Sequence, residues 1–331
     1  MASDSLRLGT ERRRWLLAVC GLCCGLALSA RTYRLRHWHV APGNYSGITM
    51  LGDSRYAVVS DKDSLAGFHV WAIHLDSGTG RITSVQDEGF CGVTYPLVRD
   101  AEGVAFCPDS HSVFICGEAD QRILEHRLDG KLTGRELHIP EALGTLHIYP
   151  NRGFEALCYD KVHRLFWTCT ESPLRSDSAR QLRLISFGPD MQPSATYRYI
   201  LDPERSRNHG RDHYHGVVAM APLSDGSLLV LEREARIARH YSGSRCHNRL
   251  FHFVPATGEK RLLDSWQTRF TLLNTRFANY EGMCLGPRLA DGRQSILFLS
   301  DSQGAYARGP WKLKDYIQVR FLNDKDYSVT K

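Results

Sequence analysis

The 331-residue chain is 42% hydrophobic and 24% charged, which permits a sizeable core and excludes the low-hydrophobicity, high-charge composition of a disordered chain. Its net charge of +6, with histidine neutral, is a modest excess, and no clustered Lys/Arg helix or stacked aromatic platform marks a nucleic-acid binder. The N-terminus differs from the rest. Arg12, Arg13 and Arg14 precede an uncharged apolar stretch from Trp15 to Leu28 and the small-residue run Ala27 to Ala30. A basic start, a short apolar core and an A-x-A-like site form the pattern of a secretory signal peptide, and the stretch is short for a membrane span. Residues 1–30 therefore read as an export leader or an uncleaved anchor, with a single domain over residues 31–331. The expected location is periplasmic, secreted or cell-surface, with membrane contact only through an uncleaved leader.

After the leader, Tyr33 to Val40 alternates polar and apolar residues and reads as a strand. Five similar units follow, each divisible into short strands bounded by Gly, Pro, Asp and Asn. The first takes Ile48 to Leu51, Tyr56 to Ser60, Phe68 to Leu75 and Arg81 to Val85. The second takes Gly103 to Cys107, Ser112 to Cys116, Ile123 to Leu128 and Arg135 to Ile139. The third gives Glu155 to Tyr159, Leu165 to Cys169, Leu182 to Phe187 and Thr196 to Ile200. The fourth gives Val217 to Ala221, Leu228 to Glu232, Leu250 to Val254 and Arg261 to Leu263. The fifth supplies only three, Gly282 to Leu285, Ile296 to Leu299 and Tyr316 to Leu322, so Tyr33 to Val40 is the spare strand that completes it. This arithmetic predicts an all-β β-propeller, five blades by direct count with a sixth still open, closed by its N-terminal strand and acting as a monomer. A β-sandwich or an irregular β-helix accounts less well for the regular unit.

Seven cysteines follow the leader, and five lie within apolar runs, where they read as small buried hydrophobes. Cys107 with Cys116 and Cys158 with Cys169 fall on neighbouring strands, which leaves a disulfide open, although the odd total fits a disulfide framework poorly. Connections on one face are short, such as Gly52 to Arg55 and Pro108 to His111. The other face carries the long ones: Gln86 to Asp100, Ser172 to Gln181, Asp202 to His213, Arg233 to Arg249, Ser265 to Asn279 and Ser302 to Asp315. Long loops on a rigid scaffold are where sites are built.

The first strand of each blade lines the central tunnel, and its leading residue is expected at the mouth: Ser46, Glu102, Glu155, His215 and Glu281. Carboxylates converging in a narrow ring repel one another unless they are protonated or bridged, and a hard divalent cation, calcium first, would resolve the conflict. Pairing with a tunnel arginine is the simpler alternative. Second strands end with Asp61, Glu118, Glu171, Glu232 and Asp301, a second acidic ring, although acids are also common at strand ends. The long connections bring the opposite sign through Arg205, Arg211, Arg233, Arg236 and Arg239, with Lys312 and Lys314 from the fifth blade. Guanidinium groups beside a divalent ion suit a small anionic, phosphorylated ligand. No G-x-S-x-G elbow, Walker loop or H-E-x-x-H motif supplies another kind of chemistry.

The segments Asp100 to Ala105 (DAEGVA), Gly153 to Leu157 (GFEAL), Leu228 to Arg233 (LLVLER) and Asn279 to Gly282 (NYEG) followed by LGPRLADGR and FLSD resemble the phytase-like domain family, described by the phrase "esterase-like activity of phytase". The resemblance runs in order over nearly all of the mature chain. It implies a propeller, and a more distant similarity to calcium-dependent alkaline phytases. The ring Ser46, Glu102, Glu155, His215, Glu281 is also similar to the Ser/Glu ring of five-bladed calcium-activated nucleotidases, from which His215 departs because imidazole is a poor calcium ligand. The function expected on these grounds is metal-dependent hydrolysis of a phosphoester. The alternative is a non-catalytic propeller that binds a ligand or partner and uses its central ion structurally.

Overall fold

The computed structural model describes residues 28–271, 273, 275–305 and 312–323. The leader's basic and apolar segments, with Cys20, Cys23 and Cys24, lie outside the described residues. No helix among the described residues is long and apolar enough to cross a membrane.

The apolar runs are rich in Val, Ile, Phe and Leu and are interrupted by Asp-Gly and Asn-containing turns, so they form short antiparallel strands buried on both faces. In chain order, β1 (Ala30–Arg34) precedes blade one, formed by β2 (Tyr45–Gly52), β3 (Arg55–Ser60), β4 (Ala66–Leu75) and β5 (Ile82–Val93). Blade two is β6 (Ala101–Cys107), β7 (Ser112–Gly117), β8 (Arg122–Arg127) and β9 (Leu132–Leu137). Blade three is β10 (Phe154–Asp160), β11 (Leu165–Thr170), β12 (Gln181–Phe187) and β13 (Pro193–Ile200). Blade four is β14 (Asp212–Pro222), β15 (Leu228–Ile237), β16 (Ser244–Val254), β17 (Glu259–Phe270) and a two-residue β18 (Thr275–Arg276). Blade five is β19 (Asn279–Arg288), β20 (Gln294–Asp301) and β21 (Tyr316–Leu322), completed by β1 antiparallel to β21 with Thr32 opposite Gln318. The five first strands neighbour one another in sequence order around an axis, and β19 meets β2 to close the ring. The fold is a five-bladed β-propeller.

Two expectations need correction. The closing strand is Ala30–Arg34 rather than Tyr33 to Val40, because the chain turns into a 3-10 helix at Leu35–Trp38 that buries Leu35. Several of the long connections are continued strand. β5 runs on to Val93 opposite Ala66, and β15, β16 and β17 extend past the ring so that blade four stands above the mouth as a raised sheet.

Apolar cores fill the wedges between adjacent blades. Phe114 and Phe166, with ring centroids 4.4 Å apart, join blades two and three. Trp71 and Tyr56 of blade one meet Leu297 and Ile317 of blade five, and Phe253 packs with Tyr199 between blades three and four. Full burial of each such side chain stabilises by about 1.5–3 kcal/mol, so the ring is held by contacts between blades as much as within them. Glycine in the first strands permits this closeness: a Cβ on Gly103 would stand 2.4 Å from the Glu155 carbonyl oxygen of the next blade. All seven described cysteines are free. Cys107 faces Ser112 and Cys158 faces Trp167 across their ladders, so neither pair considered for a disulfide is in register.

Candidate functional site

Bulges in the first strands aim the ring residues into the tunnel. In β2 the ladder passes from Tyr45–Ser60 to Gly47–Val59, which leaves Ser46 out of register. The same irregularity sets Glu155 in β10 and Glu281 in β19, and in β6 it spans Glu102. An unpaired bulge residue is free to turn its side chain inward. In β14 the bulge falls between Val217 and Ala219, so the blade-four member of the ring is Val218. Ser46, Glu102, Glu155, Val218 and Glu281 together line the narrow waist of the tunnel.

His215, expected in the ring, lies three residues too early. Its Nε2 is 3.0 Å from Arg249 Nη2 and its Nδ1 3.8 Å from Glu204 Oε1. Burial, helped by the Arg249 charge, pulls its pKa down to about 4, so it is a neutral side chain outside the waist.

The outer ring shows the same offset. Asp301 stands opposite Asn279, two residues before Glu281, and in blade four the corresponding partner of Gly216 is Arg233. The second ring is therefore Asp61, Glu118, Glu171, Arg233 and Asp301. Glu232 points away from it and is buried where Lys260 Nζ donates at 2.5 Å, the Tyr199 hydroxyl at 2.9 Å and Arg249 at 3.2 Å. Blade four thus replaces the inner acid by valine and the outer acid by arginine, which sets one cation among the carboxylates of the other four blades.

Arg233, 4% exposed, donates through Nη2 to Glu171 Oε1 at 2.5 Å and through Nη1 to Asn279 Oδ1 at 3.1 Å and to Glu281, while Glu155 Oε1 lies 3.9 Å away. Arg152 Nη1 donates to the second Glu171 oxygen at 2.6 Å. These two guanidinium groups do not neutralise the cluster. Burial pushes Glu281 up to about 7 against the pull of Arg233. Burial, then the charge of Glu171, raises Glu155 well above the carboxylate range. Glu102 is raised by burial and then by Glu155, Glu281 and Asp61. Asp301 is raised by burial and Glu281, although Gln303 donates to it from its backbone N–H at 2.5 Å and from its side-chain amide. Glu118 is raised by burial while accepting the Gly153 N–H at 2.7 Å.

The side of the ring away from Arg233 holds a group suited to a hard cation. Asp61, Asp100 and Glu102 each place one carboxylate oxygen within 4.8 Å of the others, and Asp61 Oδ1 is buried with no hydrogen-bond partner. An all-oxygen donor set with an unspent acceptor fits calcium. Lys62 Nζ stands at this point, 2.6 Å from Asp100 Oδ1 and 2.9 Å from Asp61 Oδ2. Ser46 Oγ donates to the Ala101 carbonyl at 2.5 Å, which leaves only its lone pairs for a ligand.

Above this floor opens a cavity of about 440 Å³ whose wall includes Ile237, Tyr241, Phe270 and Phe277 from the raised part of blade four and its continuation. Of the five expected anion-binding arginines, Arg211 and Arg233 line it. Arg236 Nε donates to the Asn208 carbonyl at 2.6 Å outside the cavity, and Arg205 and Arg239 are exposed and take no part in its lining.

A family model described as "Phytase-like: Esterase-like activity of phytase" matches residues 41–303. The chain belongs to the phytase-like family. No curated protein matches it. Among solved structures, this phytase-like propeller is similar to an endo-arabinase from Bacteroides thetaiotaomicron, at 13% identity and TM-score 0.47 over 88% of this chain and 97% of that one. It is also similar to the periplasmic gluconolactonase PpgL from Pseudomonas aeruginosa, at 14% identity and TM-score 0.39 over 84% and 73%. Hydrazine synthase from Kuenenia stuttgartiensis matches at 11% identity and TM-score 0.38, with 82% of this chain covering 61% of that longer one. Nothing about activity follows from likenesses at this level.

Within the phytase-like frame, sequence reasoning overlooked Lys62, Asp100, Arg152, Asn279 and the apolar wall. Asp100 and Asn279 stand two residues before the ring glutamates in the DAE and NYE segments, so the repeat carried their signal. Arg152 stands three residues before Glu155 as Arg99 stands before Glu102, and Lys62 follows Asp61 as Arg233 follows Glu232, so the repeat carried these signals too.

Proposed function

We propose that this propeller is an exported, monomeric, calcium-dependent hydrolase that cleaves a phosphoester of a small anionic ligand at the mouth of its tunnel. The observation that carries the reading is the oxygen-only group Asp61, Asp100 and Glu102, with a buried unpartnered acceptor, set beside carboxylates that Arg233 only partly neutralises. When bound there, calcium would polarise a substrate oxygen and acidify a water ligand. Glu281, with a pKa of about 7, is placed to take up a proton near neutral pH. Arg233 orients Glu281 and Glu171 through its fork, and Arg211, 53% exposed at the side chain, can meet ligand phosphate at the rim. Lys62, which pairs with Asp100 and Asp61, would be a second donor for ligand phosphate with a cation bound there.

The contrary reading, a binding propeller without turnover, is favoured by one feature: Lys62 already bridges Asp61 and Asp100, so that group is paired without an ion. Turnover of a panel of phosphomonoesters and phosphodiesters with calcium, with chelator and in Asp100→Asn separates the two. Calcium-dependent hydrolysis lost in the variant supports the enzyme; calcium binding with no turnover of any ester leaves the binding module.

A further inference from the structure

A different set of ligand-bearing side chains lies outside the mouth, on the connection from β13 into β14. Glu204, His209 and His213 each bring one ligand atom within 4.8 Å of the others. The His209 and His213 rings stack with centroids 4.1 Å apart and planes 5° from parallel, and His209 Nε2 is 3.0 Å from Glu204 Oε2. Imidazole ligates in its own ring plane, so His209, whose side chain is 60% exposed, has to turn out of this stack to share an ion with His213.

Buried groups brace this set from behind. Glu234 on β15, 0% exposed, accepts the backbone N–H groups of Arg205 at 2.7 Å and Ser206 at 2.8 Å, and its Oε1 faces His213 Nε2 at 3.4 Å. A carboxylate in that position accepts a hydrogen bond from Nε2–H, the tautomer that leaves the Nδ1 lone pair open to a ligand. Arg249 has only donors to offer His215 Nε2, so the His215 proton sits on Nδ1, directed toward Glu204 Oε1. The loop is fixed in turn. Arg236 Nε donates to the Asn208 carbonyl, Gly210 N–H donates to Asn208 Oδ1 at 2.7 Å, and Arg211 N–H donates to the Ile237 carbonyl at 2.8 Å.

Two imidazoles and one carboxylate are a nitrogen-rich set suited to zinc and its transition-metal neighbours, whereas calcium takes oxygen donors. We propose that Glu204, His209 and His213 bind one zinc-class transition-metal ion, independently of any cation in the mouth. The ion clips the connection before blade four onto β14 beside Asp212 and Tyr214, which line the mouth cavity.

Tag-free protein titrated with zinc chloride in a calorimeter, and with cobalt(II) chloride followed by visible absorption, tests this, with calcium chloride as control. The expected result is one zinc per chain, cobalt bands of a low-coordinate nitrogen and oxygen site, and no competition by calcium. His209→Ala and Glu204→Gln, at side chains 60% and 40% exposed, leave the fold intact and weaken zinc at least about tenfold. Asp100→Asn leaves zinc affinity unchanged. The proposal is overturned by absence of zinc binding or by unchanged affinity in both loop variants. A loss confined to Asp100→Asn, or thiolate charge-transfer bands with cobalt, would place the ion elsewhere and overturn it equally.

Discussion

Arg233→Met removes the guanidinium that joins Glu171 to Glu281 beside Glu155 and puts an unbranched apolar side chain in its place, while Arg152 still pairs with Glu171. Arg233 is 4% exposed, and its fork holds Glu171 at 2.5 Å and Glu281. Removing one partner of a buried ion pair strands the other charge, at a cost of about 3–5 kcal/mol. A chain with roughly 300 folded residues has an unfolding entropy near 0.6 kcal/mol/K, so the expected fall in Tm is about 5–8 °C. The assay is thermal unfolding by circular dichroism at pH 7.5 in chelator, with Arg233→Lys alongside. Lysine keeps the charge without the planar fork and is expected to fall between the other two. Calcium should recover part of the loss by supplying charge to the same carboxylates. A Met variant as stable as the parent at pH 7.5 would mean that these carboxylates are not ionised around the arginine, and the electrostatic account of the ring would fail.

Glu281 is held near 7 by burial, so its protonated form stabilises the fold at low pH and that stability is lost as pH rises through about 7. His126 and His215, pulled to about 4, are neutral in the folded protein but still lose protons from the unfolded chain through about 6.5, which raises stability with pH, so the Glu281 effect is read as the difference between the parent and Glu281→Gln. The Tm of the parent relative to Glu281→Gln in chelator should therefore fall as pH rises from 4.5 to about 7 and level off above it, and change less in calcium; a relative Tm that stays flat or rises over this window contradicts the assignment. Gly216→Ala sets a Cβ 1.9 Å from the Glu171 carbonyl oxygen, a backbone atom that cannot move aside, and should destabilise by about 1–3 kcal/mol in urea unfolding. A neutral result there would show that blades three and four are less closely packed than the structure places them. Arg211→Ala, at an exposed rim position, should change stability by less than about 0.5 kcal/mol. It should weaken inorganic phosphate binding in calcium about tenfold, measured by calorimetry, because it deletes a charged hydrogen-bond donor.

The propeller was legible because each blade repeats one unit, an acid, serine or histidine before a short apolar first strand and a turn before a second, and the spare N-terminal strand completed the count. Blade four was misaligned for a physical reason. His215-Gly216-Val217 matches Glu102-Gly103-Val104 and Glu281-Gly282-Met283 residue for residue, but its bulge comes at Val218, three residues later than the motif implies. Bulge position is set by the neighbouring ladder, which motif matching does not see. The same shift hid Arg233, grouped by its loop-like flank with Arg236 and Arg239, although β15 continues through it to Ile237. The apolar wall was invisible because Phe270 and Phe277 fall in a stretch that reads as a loop between repeats.

The central claim is a calcium ion held by Asp61, Asp100 and Glu102, and thermal unfolding of the parent and Asp100→Asn with calcium and with chelator tests it most directly. Binding at a hundred times Kd stabilises by about 2.7 kcal/mol. With the same unfolding entropy, about 0.6 kcal/mol/K, the parent should gain roughly 4 °C in calcium, and Asp100→Asn should gain little. Equal midpoints of the parent in calcium and in chelator would contradict the claim, leaving Lys62 as the cation of that site and the hydrolase without its activated water.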